Sequence, residues 1–215
     1  MTVRLPSNNH RLAILGRTGS GKTQAGVYHL SKRNYREMPW IVFDFKGDRL
    51  INSIPDAQDI DIGKVPKKPG IYLTHPLPDQ EEEVDVTLWR AWEQENVGLY
   101  FDEGYMVANS KAFRAVLTQG RSKNVPVIFL SQRPSWISKF ALSEADMLQV
   151  FELSVPDDRK RVREIFDGYP DRFNEKYQSA YYDVASNESV ILNPVPSDTD
   201  ILASFQKSKR YAKIL

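Results

Sequence analysis

The residues Gly16, Arg17, Thr18, Gly19, Ser20, Gly21, Lys22 and Thr23 read GRTGSGKT and follow the apolar run LAIL. They match G-x-x-x-x-G-K-[ST], a loop that grips the phosphates of a nucleoside triphosphate. The glycines let successive backbone N–H groups turn inward with no Cβ in the way. A helix leaving the loop adds the partial positive charge of its N-terminus. Lys22 is expected to reach the β- and γ-phosphates, and the Thr23 hydroxyl to ligate Mg²⁺. ATP and Mg²⁺ are therefore the expected ligands.

A second group of polar residues completes such a site. Leu99-Tyr100-Phe101-Asp102-Glu103 is an apolar run ending in two acids. Asp102 is expected to hold the metal shell, and Glu103 to polarise a water for in-line attack. A carboxylate base beside the metal-binding one indicates hydrolysis by water rather than transfer to another acceptor. Ile128-Phe129-Leu130-Ser131-Gln132 is a further apolar run with a polar end. Gln132 can hydrogen-bond the γ-phosphate or the attacking water, or be an ordinary strand-end residue. Arg121, in QGRSK, is a candidate arginine finger acting across a subunit boundary, or a solvated surface arginine; Arg114 and Arg133 are the fallback candidates. Asp44 ends the run WIVFD, where nucleotide sites open in α/β folds. It is expected to support the site, and Lys46 is a candidate partner for it.

These groups need strands to carry them and helices to cover the strands. Six apolar runs read as strands: 11–16, 40–45, 70–75, 97–103, 125–132 and 147–153. Most are continuous, as in strands buried on both faces. Helices are expected at 23–32, 87–94, 110–119 with Ser110 as its cap, and 157–166. The alternation predicts an α/β fold, a mostly parallel sheet flanked by helices. Residues 55–70 are turn-rich and read as a loop. DQEEEVD (79–85) reads as a solvated helix start. Residues 179–194 read as a hairpin turning near Ser186-Asn187-Glu188, and the basic end KSKRYAKIL as a helix or loose tail. The expected organisation is an ATPase core over 1–170 and a C-terminal hairpin and tail over 171–215, part of the same domain.

The chain has 215 residues, 41% of them hydrophobic, enough for one α/β domain with a real core. Its formal net charge of +1 gives no global basic field and argues against tight autonomous nucleic-acid binding. A few basic residues per subunit can still act together in a ring. There is no cysteine, which excludes disulfides and thiolate metal sites. The start MTVRLPSNNH lacks the apolar core of a signal peptide. No run approaches the ~18 apolar residues of a membrane span, so a soluble protein is expected, with ATP use implying the cytosol.

In order along the chain, GRTGSGKT, IVFDFKGD, LYFDE and GRSKNVPVIFLSQRP resemble the motifs of the FtsK/HerA superfamily of DNA-pumping ATPases. The resemblance spans about residues 11 to 155, and the strand ending in Ser-Gln-Arg-Pro is its most specific part. It implies a P-loop NTPase of the RecA-like type, with the Gln132 strand lying between the P-loop strand and the Asp102 strand. It also implies a sensor at Gln132, a finger near Arg121 and a homo-oligomeric ring, pentamer or hexamer, around double-stranded DNA. The compact length is most similar to the genome-packaging ATPases of membrane-containing, icosahedral double-jelly-roll viruses. That implies capsid vertex or portal proteins as partners, and action in the host cytoplasm or at the virion packaging vertex. Lys111, Arg114, Lys123 and Lys139, expected near the C-terminal edge of the sheet or its loops, are the candidate DNA contacts, or each is a solvated surface residue. A filamentous-phage-type assembly ATPase, a small nucleotide or nucleoside kinase and a non-hydrolysing P-loop switch are the alternatives. A kinase needs an Arg-rich lid, whereas DDRKRVREIF reads as an amphipathic helix.

Overall fold

The computed structural model describes residues 4–211, with side chains to residue 206. Strand β1 (Leu12–Leu15) runs into the glycine loop and helix α1 (Lys22–Leu30) leaves it. Next come β2 (Pro39–Phe43), the short helix α2 (Arg49–Asn52), β3 (Gln58–Asp59) and β4 (Gly70–Thr74). Helix α3 (Glu81–Gln94) leads to β5 (Gly98–Phe101), and α4 (Lys111–Gln119) to β6 (Val127–Ser131). Then follow α5 (Lys139–Ser143), β7 (Met147–Val150), α6 (Pro156–Arg163), the hairpin β8 (Ser179–Asp183) and β9 (Glu188–Leu192), and α7 (Asp198–Tyr211). All six expected strands form. The turn-rich stretch 55–70 also contributes β3, an edge strand. The acids of DQEEEVD do sit at a helix start, with Glu81, Glu82 and Glu83 in the first turn of α3, where carboxylates complement the helix dipole. Residues 212–215 of the basic end lie outside the described residues.

The strands form one sheet in the order β3-β4-β2-β5-β6-β1-β7-β8-β9. It is parallel from β3 through β7, and only the β8–β9 hairpin adds on antiparallel. Thus β6 lies between β1 and β5, the order that the resemblance implied. All parallel strands point their C-terminal ends to one edge. That edge carries the glycine loop after β1, Asp102-Glu103 after β5 and Gln132 after β6.

Strand alternation divides the core in two. Ala13, Leu15, Ile41, Phe43, Leu99, Phe101 and Phe129 face α3 and α4, where Phe113 lies edge-on to Phe101 and Phe129. Leu12, Ile14, Trp40, Val42, Tyr100, Ile128 and Leu130 face α1 and α7. Burial on both faces explains why these strands read as continuous apolar runs.

Trp40 and Gly98 are cross-strand partners in β2 and β5, and a Cβ on Gly98 would lie 2.2 Å from the Trp40 ring. The ring is fully buried, so it has no room to move aside. Gly98→Ala is expected to lower the melting temperature by roughly 3–10 °C, the effect of overpacking a core by one methyl in a chain this long. Thermal denaturation of the two proteins side by side measures it.

Candidate active site

Helix α1 begins on Gly21 at φ 97°, a left-handed conformation that favours glycine. It has no side-chain cap and no acid in its first turn. Its leading N–H groups are therefore open to an anion. Lys22 Nζ folds back and donates to the Arg17 carbonyl at 3.0 Å, which marks the mouth of the loop. Burial, reinforced by the positive charge of Lys46, pulls the Lys22 ammonium down to about 8. An anion beside it would reverse that shift, because opposite charge favours the ionised form.

Asp102 leaves the end of β5 and accepts from Thr23 Oγ1 at 3.0 Å. The two residues expected to share a metal thus already touch. Asp102 is 2% exposed, and burial pushes its carboxyl up to about 6. Asp102 Oδ2, Glu103 Oε2 and Ser20 Oγ are buried without a hydrogen-bond partner. Buried polar atoms normally find partners, and oxygens are the donors that Mg²⁺ prefers. The chemistry of this set fits a bound cation and phosphate.

Glu103 is 1% exposed and is held from two sides. Gln132 Nε2 donates to its Oε1 at 3.2 Å, and Lys46 forms an ion pair with the same oxygen. Thr18 Oγ1 in turn donates to Gln132 Oε1. A chain of contacts therefore runs from the glycine loop through Gln132 to Glu103, across three adjacent strands.

Asp44 is 1% exposed and organises the turn after β2. It accepts from the backbone N–H groups of Lys46 at 3.3 Å and Asp48 at 3.0 Å, and from Asn52 Nδ2 at 2.8 Å. His75 Nδ1 lies 3.5 Å from Oδ2, the oxygen that Asn52 also holds. Lys46 offers Asp44 its backbone only, and its ammonium goes to Glu103 instead. That pairing corrects the expectation that Lys46 partners Asp44. The two carboxylates lie on neighbouring strands, and the turn points the lysine away from its own strand end.

Arg121 is exposed in the turn between α4 and β6. It stands close enough to His10, just before β1, to lower that imidazole's proton affinity, although burial has the larger effect there. Both positions precede their strands, so Arg121 sits at the sheet edge opposite its own glycine loop. Lys123 lies at that same edge, paired with Glu95 at 2.7 Å and not at the C-terminal edge as expected. The cause is that it precedes β6. Lys111 and Lys139 open α4 and α5, which follow C-terminal strand ends, and the Arg114 guanidinium lies 5.0 Å from the Phe140 ring centroid. Arg133 donates to the buried carboxylate of Asp158 at 2.9 Å.

The raised Asp102 carboxyl has a consequence for stability. A folded carboxyl at about 6 against an ordinary 3.8 holds its proton longer than the unfolded chain does. Stability of the ligand-free protein therefore falls as pH rises from about 4 to about 6, and the full cost, on the order of 3 kcal/mol, persists above that. Asp102→Asn is expected to raise the ligand-free melting temperature by roughly 6–12 °C at pH 8, and to make no difference near pH 4. Melting curves at both pH values test it.

Among the described residues no helix is long and apolar enough to cross a membrane. No family model matches the chain. Along its whole length the chain is 43% identical to the DNA packaging ATPase P9 of Enterobacteria phage PRD1, which it covers completely. Its fold is similar to that of the genome packaging NTPase B204 from Sulfolobus turreted icosahedral virus 2, solved in complex with sulfate. The two share 17% identity at a TM-score of 0.65, over 87% of this chain and 98% of that one. It is also similar to ATPases 2 and 3 of EssC from Geobacillus thermodenitrificans, at 12% identity and a TM-score of 0.67, over 97% of this chain and 45% of that one.

Proposed function

This chain belongs to the family of viral DNA-packaging ATPases, and from that premise we propose that it hydrolyses ATP to drive double-stranded DNA into a viral particle. The observation that best supports hydrolysis is the contact chain from Thr18 through Gln132 to Glu103. It joins the phosphate loop to a buried carboxylate by way of a residue able to feel the γ-phosphate.

In this reading the loop 16–23 wraps the phosphates, with Lys22 on the β- and γ-oxygens. Thr23 and Asp102 hold Mg²⁺. That ion supplies Lewis-acid neutralisation of the phosphate charge. Glu103 accepts the proton of the attacking water, and Gln132 positions that water against the γ-phosphate. Lys46 holds the Glu103 carboxylate in place while the site waits, and Asp44 supports it by fixing the turn that presents Lys46.

The chain works as one unit, since its C-terminal hairpin extends the same sheet, and it acts as one subunit of a ring. Arg121 then serves the neighbouring subunit's nucleotide. Lys111, Arg114 and Lys139 are candidates for the DNA side, and Lys123 is a weaker one because it lies at the opposite edge of the sheet. The motor acts in the host cell at the capsid vertex.

The test is ATP hydrolysis by the purified chain with Mg²⁺, with and without double-stranded DNA, alongside its mass in solution. Hydrolysis that rises when duplex DNA is added, by an assembly larger than one chain, is expected. Hydrolysis indifferent to DNA at every protein concentration would remove the translocase reading and leave a plain ATPase.

A further inference from the structure

The turn 31–38 joins the end of α1 to the start of β2, at the sheet edge opposite the phosphate loop. A cavity of about 310 Å³ opens there. Lys32, Arg33 and Arg36 line it, together with Asn8 and Asn34. Glu37 is the one carboxylate on its wall among the described residues. The hydrolytic groups stand at the other end of α1 and make no use of it.

Arg33 is 5% exposed. Its Nη1 donates to the Ser7 carbonyl, and its Nη2 is buried without a hydrogen-bond partner. Burial pulls the guanidinium down to about 10, against the weaker opposing pull of Tyr181 and Asp146. The Asp146 carboxylate is itself spent on Arg11 at 3.1 Å. Buried charges are normally paired, and among the described residues no carboxylate forms an ion pair with this one. Lys32 and Arg36 are exposed beside it, and both have neutral partners. Lys32 Nζ lies 5.1 Å from the Tyr28 ring centroid. Arg36 Nη2 donates to Tyr35 Oη at 3.1 Å and to the Phe205 carbonyl at 2.9 Å. These contacts hold the two side chains and leave their charges uncancelled. A concavity with a buried cation in its wall focuses the positive field at its mouth.

The formal net charge of +1 means that a duplex must be gripped by local excesses of positive charge, because there is no global field to hold its phosphates. Several other basic residues are already neutralised: Lys123 by Glu95, Lys139 by Glu164 and Arg133 by Asp158. The turn after α1 keeps such an excess, with three cations against Glu37.

We propose that this cavity grips a backbone phosphate of double-stranded DNA, with Lys32 and Arg36 on the phosphate oxygens and Arg33 supplying charge from the buried wall. The proposal rests on the reading of the chain as a DNA motor. It gives α1 a second role. A single helix of nine residues, roughly 13 Å long, then joins the phosphates of ATP to a phosphate of the DNA.

A lysine or arginine that contacts a DNA phosphate displaces counterions, and its loss lowers the slope of log affinity against log salt by about one unit. Lys32→Gln is expected to lower that slope by at least about one unit, and Lys32→Gln with Arg36→Gln by at least about two. Fluorescence anisotropy of a labelled duplex over a series of salt concentrations measures it. Lys67→Gln with Lys68→Gln removes the same charge from the exposed turn before β4 and should keep the parent's slope. If the paired substitution lowers the melting temperature, Lys32→Gln alone decides, since its side chain is exposed. An unchanged slope in Lys32→Gln overturns the proposal. So does an equal fall in the Lys67 and Lys68 variant, which would reduce the effect to net charge. Inorganic phosphate, titrated calorimetrically into the parent and the Lys32 and Arg36 variant, separates the two sources of phosphate. Phosphate binding lost in a variant that keeps the parent's DNA slope would assign the cavity to a free oxyanion and overturn the DNA assignment. A parent chain that binds no duplex at the lowest salt, at any protein concentration, would overturn the motor reading itself, and this proposal with it.

Discussion

Glu103→Gln is expected to leave a protein that binds ATP and Mg²⁺ and does not turn ATP over. The amide has the shape of the carboxylate and lacks its basicity. Loss of a general base lowers turnover on the order of 10²- to 10⁴-fold. The surroundings of Glu103 sharpen the prediction. Its Oε1 receives Gln132 and Lys46, whereas its Oε2 is buried without a partner and is the atom left to meet a water. The substituted amide can still accept from Gln132 through its oxygen, so the contact chain to Thr18 survives. Lys22→Ala is the contrasting variant, since it removes the ammonium at the mouth of the loop and should lose productive ATP binding along with turnover. Rapid-quench hydrolysis and equilibrium nucleotide binding distinguish the two. Wild-type turnover in Glu103→Gln would show that another group takes the proton, and loss of ATP binding would show that Glu103 is structural.

The parts of the site that lie within one motif were legible in the sequence. The glycine loop needs a strand before it and a helix after it, and both are local patterns. Asp102 and Gln132 were legible because each ends a continuous apolar run, and such runs are buried strands in a parallel sheet. The spatial order of those strands is not a local property. It came from the resemblance to the FtsK/HerA superfamily, and periodicity alone could not have placed β6 between β1 and β5. The partner of Lys46 is not legible, because it is decided by the turn after β2 and by β5 being the adjacent strand, neither visible from spacing. Lys123 was misjudged for a related reason: a residue a few positions before a strand belongs to the opposite edge from one just after it. The helix α2 is four residues long and has no room for an apolar period. Segment 171–178 has none either, because it is held by turn hydrogen bonds, one ion pair and the lone packed ring of Phe173 rather than by a periodic buried face. Its relation to the phosphate loop arises only once β7 and β8 pair.

Arg121→Ala is expected to lower ATP turnover by ~10³–10⁵, the range for an arginine that covers the transferring phosphoryl group, or roughly 4–7 kcal/mol of transition-state stabilisation. The position of Arg121 bears on how that could happen. It lies at the sheet edge away from its own glycine loop, so it cannot cover its own nucleotide. A ring built from identical subunits joins two different surfaces at each interface, and one subunit's turn 120–124 can then face the next subunit's loop 16–23. Arg133 is one rival, but its guanidinium is committed to the buried Asp158 carboxylate at 2.9 Å and lies 4.6 Å from the Trp136 ring centroid. Arg114 is the other, and it is stacked on Phe140. Mixing two inactive variants decides the matter. In a ring assembled from equal amounts of Lys22→Ala and Arg121→Ala subunits, roughly a quarter of the interfaces join an intact loop to an intact arginine. Turnover should return to a substantial fraction of the parent's, far above either variant alone, and should follow the mixing ratio with a maximum near equality. A cis arginine would give no such maximum, because neither variant carries both groups. No recovery at any ratio, with mixed rings confirmed by mass, would rule out a trans role, and full turnover by Arg121→Ala alone would remove the residue from the mechanism.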